Sequence, residues 1–145
     1  MNRTAQETIQ DMDILAQQKN IQINFAAEEE INLSADENQL RQVFVNLLDN
    51  AIKYTAAGGS IFVKVRKENG AAQIQIRDTG IGISKEDQPF IFDRFYRVDK
   101  ARSSPGFGLG LSIVKSIVEV HRGTIYVESQ PSRGTVFTVL FPFSN

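Results

Sequence analysis

The sequence contains no cysteine and a single histidine, His121, in 145 residues. The lack of cysteine excludes a disulfide framework, thiolate chemistry and a zinc–thiolate site. Because His121 has no second histidine or cysteine to share a metal with, we expect it to play a structural role. It falls late in a predicted helix, where an imidazole can contact the terminal carbonyl groups.

Long apolar runs and a strong charge excess are also missing. No run reaches the length of a membrane span, and no signal peptide is visible. A soluble domain of a membrane protein would show the same absence. The formal charge of −1 argues against nucleic-acid binding, which favours a basic surface. An apolar share of 41% and a charged share of 23% are typical of a globular domain. We therefore expect one domain over residues 1–145, large enough for a core.

The chain is organised around a predicted helix at residues 36–54. Asp36 can cap its first turn, and Gly58 with Gly59 ends the segment. The apolar residues recur at steps of three and four, which predicts one buried helical face: Leu40, Val43, Phe44, Leu47, Leu48 and Ala51.

The opposite face of this helix is rich in carboxamides. Gln39, Gln42, Asn46, Asn50 and Lys53 follow one another at three or four residues and so share a stripe. Carboxamide oxygens can bind a hard cation such as Mg²⁺, and a lysine can meet a phosphate. The alternative is a polar surface that happens to favour amides.

Apolar periodicity predicts most of the other elements. Before the central helix we expect a helix at residues 4–19, a strand at 21–25 and a short strand at Ile31 and Leu33. After it, alternating strands at 61–65 and 72–76 flank Asn69-Gly70, a strong hairpin signal. Further on, we expect a helix start at 84–87, a helix from Gly110, and strands at 124–129 and 135–141. This order predicts a two-layer α/β sandwich: a mixed sheet covered on one face by about three helices.

A carboxylate ends the second hairpin strand. Asp78 is followed by Gly80 and Gly82, so an acceptor for a base amine would stand beside backbone that can approach a flat ring. The alternative is a β-turn that uses aspartate and glycine for their turn preferences.

A glycine-rich stretch opens the last helix. Gly106, Gly108 and Gly110 precede it, and free amides at a helix start suit phosphate. The spacing fits neither the dinucleotide fingerprint nor the P-loop, and a flexible hinge is the alternative. The preceding polar segment at 98–107 is expected to be a mobile loop. Basic residues that match phosphate cluster there, although for Lys100 we favour a solvated role: Arg94, Arg97, Lys100 and Arg102.

An aromatic stretch lies between these two motifs. Phe90, Phe92, Phe95 and Tyr96 could form a docking surface, but core packing is the simpler interpretation, at least for Phe90 and Phe92.

Together these motifs resemble the catalytic, ATP-binding domain of bacterial sensor histidine kinases. The resemblance covers about residues 4–145 and ends with Gly134-Thr135 before the last strand. Four stretches resemble the N, G1, F and G2 boxes of that family, in the same order: NLLDNAIKY at 46–54, DTGIG at 78–82, FIFDRFYR at 90–97 and GFGLGL at 106–111. The resemblance implies the Bergerat fold of gyrase- and chaperone-type ATPases.

The resemblance also implies a set of ligands for ATP and Mg²⁺. Asp78 would bind the adenine amine, directly and through a water near Thr135, while Tyr54 would line the ribose and base. Asn50, helped by Asn46, would bind Mg²⁺. Gly80, Gly82 and Ile83 are also implied at the nucleotide. Lys53, Arg97 and Arg102 would contact the phosphates. Gly108, Leu109, Gly110 and Leu111 would surround the triphosphate.

Asn46 bears on the type of reaction. ATPase relatives in this superfamily carry a glutamate there to activate water, and an amide cannot take that proton. The resemblance therefore implies transfer of the γ-phosphate to a histidine, with Lys53 and Arg97 beside the asparagines in the catalytic group. Two alternatives are a related ATPase that gates a conformational change and a non-enzymatic docking module.

The resemblance finally implies partners outside this sequence. No phosphoacceptor histidine followed by Glu or Asp is found, since His121 precedes Arg122. The expected partners are the dimerisation domain of the same kinase and, through the full kinase, a response regulator, with this domain itself a monomer. The expected location is the cytoplasm, with the parent protein anchored in the bacterial inner membrane.

Overall fold

A computed structural model describes residues 1–96 and 110–143 of the chain. Within these ranges no helix is both long and apolar enough to cross a bilayer. The elements follow in this order: α1 Asn2–Gln18, β1 Gln22–Ala27, α2 Glu37–Tyr54, β2 Ser60–Glu68, β3 Ala71–Asp78, a 3₁₀ turn Gln88–Phe90, α3 Gly110–Val120, β4 Thr124–Gln130 and β5 Gly134–Pro142.

The strands form one mixed sheet in the order β1-β2-β3-β5-β4. β1 runs parallel to β2, and every other pair is antiparallel. Alternate residues of the sheet are buried under the helices, as period-two strands require. They include Val63 on β2, Ile74 and Ile76 on β3 and Phe137 on β5. The predicted two-layer α/β sandwich with a mixed sheet is confirmed.

The predicted hairpin joins β2 to β3. Its turn residues Asn69 and Gly70 have φ values of +48° and +80°. Two successive positive φ values define the turn type whose twist matches the flanking strands.

α2 is the predicted central helix and is capped at both ends. Asp36 Oδ1 accepts a hydrogen bond of 3.0 Å from the Gln39 amide. At the other end, Lys19 Nζ donates to the carbonyls of Ile52 and Lys53 at 2.8 and 3.2 Å. The predicted apolar face is buried along its whole length. A cation from α1 thus satisfies carbonyls that the helix itself leaves unpaired.

The short strand expected at Ile31 and Leu33 is wrong. Ile31 is fully buried, but its amide donates to Asn2 Oδ1 of α1 at 3.1 Å, and Asn2 Nδ2 donates to the Glu29 carbonyl at 2.9 Å. Because a side chain takes this backbone bond, the segment packs in the core without joining the sheet.

The helix start expected at 84–87 gives only turns and the 3₁₀ segment. Ser84 Oγ does accept from the Asp87 amide at 3.3 Å, as a cap would. Pro89 then follows, and its lack of an N–H interrupts an α-helical ladder.

The aromatic stretch divides between core and surface. Phe92 packs edge-on against Phe137, with 6.2 Å between ring centroids, as expected. The expectation for Phe90 is wrong, because its side chain is 48% exposed and pairs with Tyr96 at 5.7 Å. Ile91, at 3% exposure, fills the core position instead.

Replacing Asn2 with alanine should destabilise the protein by about 1–3 kcal/mol, since it leaves the buried Ile31 amide without an acceptor. Urea unfolding of Asn2→Ala measures this loss. Gln6→Ala, an exposed change on the same helix, is the control and should stay within about 0.5 kcal/mol of the parent. Equal stability of the two variants would contradict the role given to Asn2.

Candidate functional site

The end of α2 is bonded to the loop that follows β3. The Ile81 amide donates to the Tyr54 carbonyl at 3.1 Å, so the last turn of the helix holds this loop directly. A Cβ atom added at Gly80 would overlap that same carbonyl oxygen. Gly80 is therefore needed for the close approach of two backbone segments.

Gly82 has a similar backbone role at the β4–β5 turn. Its φ is +75°, and a Cβ there would overlap the carbonyl of Gln130. The predicted reason for these glycines was approach to a flat ring. Backbone packing accounts for both positions, and the approach to a base stays a prediction.

Asp78 is the last residue of β3 that points toward the helix layer. It follows Ile74 and Ile76 at alternate positions and is 4% exposed. Its Oδ1 accepts from the Gly80 amide at 2.9 Å. Burial raises the pKa of this carboxyl above its ordinary value of 3.8, while the backbone N–H groups of Gly80 and Thr135 act in the opposite direction.

Three polar side chains form a row across the ends of three strands. Thr135 on β5 pairs with Asp78 on one side and with Ser129 of β4 on the other. The hydroxyl oxygens of Ser129 and Thr135 lie 2.9 Å apart. Ser129 Oγ also accepts from the Ile83 amide at 2.7 Å and donates to the Gly134 carbonyl at 2.9 Å.

Gln88 braces this row from the 3₁₀ segment. Its Nε2 donates to the carbonyls of Ile83 and Ser129 at 2.9 and 3.1 Å. Ile83 itself is 8% exposed and packs in the core. Ser129 is thus bonded to Gly134 and Thr135 of β5 and to Ile83 in the loop after β3.

The middle of α2 faces the start of α3. A Cβ at Gly110 would lie 4.0 Å from the side-chain carbons of Asn46. Asn46 Nδ2 is buried and finds no hydrogen-bond partner among the described residues. Buried donors are normally paired, so this atom is suited to an acceptor held between the two helices. Leu111, next to Gly110, packs partly buried against the core.

Asn50 and Lys53 continue the same stripe toward the end of the helix. Asn50 is half-buried, and Lys53 Nζ lies 3.2 Å from Asp49 Oδ2. A phosphate at Lys53 would therefore share this cation with Asp49. Within the described ranges no cluster of three His, Cys, Asp or Glu side chains could hold a metal. A metal on this stripe would bind through carboxamide oxygens, which suit Mg²⁺.

The structure therefore places the described candidate residues along one helix. Tyr54 adjoins Gly80 at one end of the helix, Asn46 adjoins Gly110 near its middle, and Asn50 lies between them. Thr135 and Ile83 join Asp78 at the first end. The loop at 98–107, which contains Arg102, lies outside the described residues, as do Arg97, Gly108 and Leu109.

Two other predicted residues, His121 and Arg94, are described by the structure. His121 Nδ1 is 2.8 Å from the Ile117 carbonyl, and its ring packs edge-on against Phe141. The predicted contact with a helix-terminal carbonyl is confirmed. Arg94 is exposed.

Sequence reasoning missed Ser129, Gln88 and Lys19. Ser129 had a usable signal, because it continues the inward alternation of Ile125 and Val127 to the end of β4. It stands there as Asp78 stands at the end of β3. Gln88 and Lys19 act through long-range bonds, which local periodicity does not encode.

Comparison with known proteins identifies the family of this chain. Residues 35–145 match the family model described as histidine kinase-, DNA gyrase B- and HSP90-like ATPase. The chain belongs to this family. The resemblance to a histidine kinase catalytic domain is confirmed by its relatives.

Among curated proteins, the chain is 49% identical over 106 residues to the signal transduction histidine-protein kinase ArlS of Staphylococcus aureus. This match covers 72% of the chain but 24% of ArlS, so the chain spans about a quarter of such relatives. Among solved structures, the mycobacterial sensor histidine kinase MprB matches with a TM-score of 0.88 and 30% identity, over 98% of this chain and 95% of that one. Full-length ShkA in complex with AMPPNP matches with a TM-score of 0.87 and 28% identity, over 98% of this chain and 30% of that one.

The raised pKa of Asp78 predicts a pH-dependent stability. The folded protein binds this proton more tightly than the unfolded chain, so the group favours folding most below pH 3.8. That contribution is lost as pH rises from 3.8 through the folded pKa. The free energy of unfolding of the parent, minus that of Asp78→Asn, should therefore fall with rising pH in this window. Urea unfolding in steps from pH 4 to 8 measures it.

Glu86→Gln makes the same acid-to-amide change at an exposed position and is the control. A difference between parent and Asp78→Asn that rises with pH would contradict the raised pKa.

Proposed function

We propose that this domain binds Mg-ATP and transfers the γ-phosphate to a histidine on the dimerisation domain of a sensor histidine kinase. The observation that carries the proposal is the convergence of two elements on α2, the end of β3 and the start of α3. The acid at the end of β3 adjoins the last turn of the helix, and the start of α3 adjoins its middle. From Asn46 to Tyr54 the helix spans about 12 Å, which separates a base site from a phosphate site.

The Asp78 end suits an adenine base. A buried carboxylate held by the Gly80 amide keeps further lone pairs for an exocyclic amine, and the Thr135 hydroxyl lies on the neighbouring strand. Ile83 supplies buried apolar surface behind them. Tyr54, in the last turn of α2, would border the ribose.

The Asn46 end suits phosphate. The first amides of α3 and its dipole favour an anion, and the unpaired Asn46 Nδ2 offers a donor beside them. The space between the helices is open at Gly110, since even a Cβ added there would come no closer than 4.0 Å to Asn46. Two independent features thus favour negative charge at this end.

The carboxamides of Asn50 and Asn46 would hold Mg²⁺, because the described residues offer neutral oxygens there instead of an acidic cluster. Bound Mg²⁺ would neutralise charge on the phosphates. Lys53 would add a second positive charge, shared with Asp49. Roles for Arg97 and Arg102, and for Gly108 and Leu109 around the triphosphate, stay predictions.

The side chain at position 46 favours transfer over hydrolysis. A carboxamide cannot accept a proton from water, so Asn46 positions the nucleotide without activating a nucleophile. Catalysis would depend on positioning and charge neutralisation. His121 is engaged with Ile117 and Phe141, so the accepting histidine would come from another part of the kinase.

Relatives support this choice. ShkA was solved with the ATP analogue AMPPNP, and ArlS is named a signal transduction histidine-protein kinase. We extend this to a response regulator as the downstream partner of the full kinase. A membrane anchor in the parent protein and a monomeric state of this domain stay predictions.

The direct experiment mixes this chain with the dimerisation domain of its own kinase and γ-labelled ATP. We expect label on that domain, stable to alkali and labile to acid as phosphohistidine is, and little free phosphate from the chain alone. Rapid release of phosphate by the chain alone would instead favour an ATPase.

Replacing Asp78 with asparagine should weaken ADP binding about tenfold or more. The amide can present a donor to the adenine amine, and an unmet buried polar pair costs about 1–3 kcal/mol. Calorimetric titration of Asp78→Asn measures this loss. Glu86→Gln is again the control, and binding of ADP by Asp78→Asn at the parent affinity would remove Asp78 from the base site.

Replacing Asn50 with alanine should lower phosphotransfer by at least about tenfold, because an oxygen ligand of Mg²⁺ is lost. Asn50→Asp keeps an oxygen at that place and should retain more activity than the alanine variant. Gln10→Ala, an exposed carboxamide loss on α1, controls for the change itself. Parent-level transfer by Asn50→Ala would disprove the metal assignment.

A further inference from the structure

We propose that Ser129 positions the Thr135 hydroxyl so that it can only accept a hydrogen bond at the base site. The consequence is selection for a base with an amino group, as in adenine, over one with an oxo group at the same place. This inference rests on the proposed function and names a positioning residue for its base specificity.

The Ser129 hydroxyl oxygen makes three polar contacts. Ser129 Oγ lies 2.7 Å from the Ile83 amide nitrogen, 2.9 Å from the Gly134 carbonyl oxygen and 2.9 Å from Thr135 Oγ1. Each distance is that of a hydrogen bond, so each contact needs one hydrogen. The three contacts must share the hydrogens of one amide and two hydroxyl groups.

A single distribution supplies one hydrogen to each contact. The Ile83 amide can only donate, so its hydrogen lies toward Ser129. The Gly134 carbonyl can only accept, so the Ser129 hydroxyl hydrogen lies toward it. The third contact then takes its hydrogen from Thr135, whose hydroxyl donates to Ser129.

The reverse distribution leaves one contact without a hydrogen. If Ser129 donated to Thr135, its oxygen would face the Gly134 carbonyl oxygen at 2.9 Å with lone pairs on both sides. Thr135 is 5% exposed and Ser129 half-buried, so water compensates such a contact poorly. The first distribution is therefore favoured.

The frame around Ser129 keeps this arrangement fixed. Ser129 pairs with Thr135 across the β4–β5 ladder, and its carbonyl accepts from Gln88 Nε2 at 3.1 Å. Gln88 also donates to the Ile83 carbonyl. One side chain therefore binds both Ile83, whose amide donates to the serine, and Ser129, whose hydroxyl accepts. Rotation of the serine would break several bonds together.

The side chains of the base site therefore act as hydrogen-bond acceptors. The Thr135 hydroxyl hydrogen is engaged with Ser129, and the Asp78 carboxylate, when ionised, has no hydrogen to give. The Gly80 amide is already donated to Asp78. An amine, or a water that donates toward both groups, meets these acceptors well, whereas an oxo group meets lone pairs.

The test compares ADP with IDP, which share ribose and phosphates. ADP presents an amine at C6 and an acceptor at N1 of the base, whereas IDP presents an oxo group at C6 and an N–H at N1, and this pair of differences is the same for every variant. Their dissociation constants are measured by calorimetry at pH 8, which favours the ionised form of Asp78. We expect the parent to prefer ADP by about a hundredfold. In Ser129→Ala the freed Thr135 hydroxyl can turn and donate to IDP, so the preference should fall about five- to tenfold.

Two variants separate positioning from folding. Ser129→Thr keeps the hydroxyl and should keep the preference for ADP. Ser132→Ala removes an exposed serine of the same turn and should behave as the parent. Should Ser129→Ala fail to fold, Ser129→Cys, with a weaker donor and acceptor of similar size, replaces it.

The outcomes distinguish failure of this inference from failure of the proposed function. Absence of saturable ADP binding by the parent overturns both. ADP binding by the parent, with an unchanged ADP-to-IDP ratio in Ser129→Ala or its cysteine substitute, overturns the role of Ser129 alone. A lowered ratio that Ser129→Thr restores supports it, because general destabilisation would weaken both nucleotides alike.

Discussion

The hydrogen bond from the Ile81 amide to the Tyr54 carbonyl is the contact on which the site depends. Tyr54 ends the helix that carries Asn46, and Ile81 belongs to the loop that follows Asp78. This bond therefore fixes the acid of the sheet against the amide-lined helix. Gly80 makes it possible, because any Cβ there would overlap the same carbonyl. The bond also satisfies a carbonyl that every helix leaves unpaired at its end, so a fold requirement and a site requirement are met together.

The two ends of the candidate site are opposite in hydrogen-bonding character. The end at Asp78 and Thr135 presents acceptors, whereas the end at Asn46 and the start of α3 presents donors. A molecule with an amine at one end and anionic oxygens at the other matches both, and a nucleotide of adenine has that form. Neither end is distinctive alone, since an aspartate in a turn and a helix start occur in most folds. Their fixed separation along one rigid helix makes the combination informative.

Local patterns predicted what local forces decide. Periodicity and turn chemistry predicted the apolar face of α2, the Asn69-Gly70 hairpin and the strands β3, β4 and β5. The strand expected at Ile31 failed because Asn2, far away in sequence, took its amide. Phe90, expected in the core, is exposed and Ile91 is buried instead, because only the packed structure decides which neighbour faces the core. Residue chemistry predicted Asp78 and Asn46 as candidate ligands, and the family resemblance joined them in one nucleotide site, whereas the part of Ser129 depends on strand register, which no single segment encodes.

Burial of Asp78 opposes folding and is offset only in part. Loss of hydration raises the pKa of the carboxyl, and the amides of Gly80 and Thr135 counter that shift without cancelling it. A leucine or isoleucine would continue the series of Ile74 and Ile76 and would fill the core at no such cost. An acid at this position is therefore poorly explained by stability. It is well explained by a ligand that donates to it, because the ligand would supply the hydrogen bonds that the protein withholds. A buried acid at the end of β3 thus supports the base site proposed above.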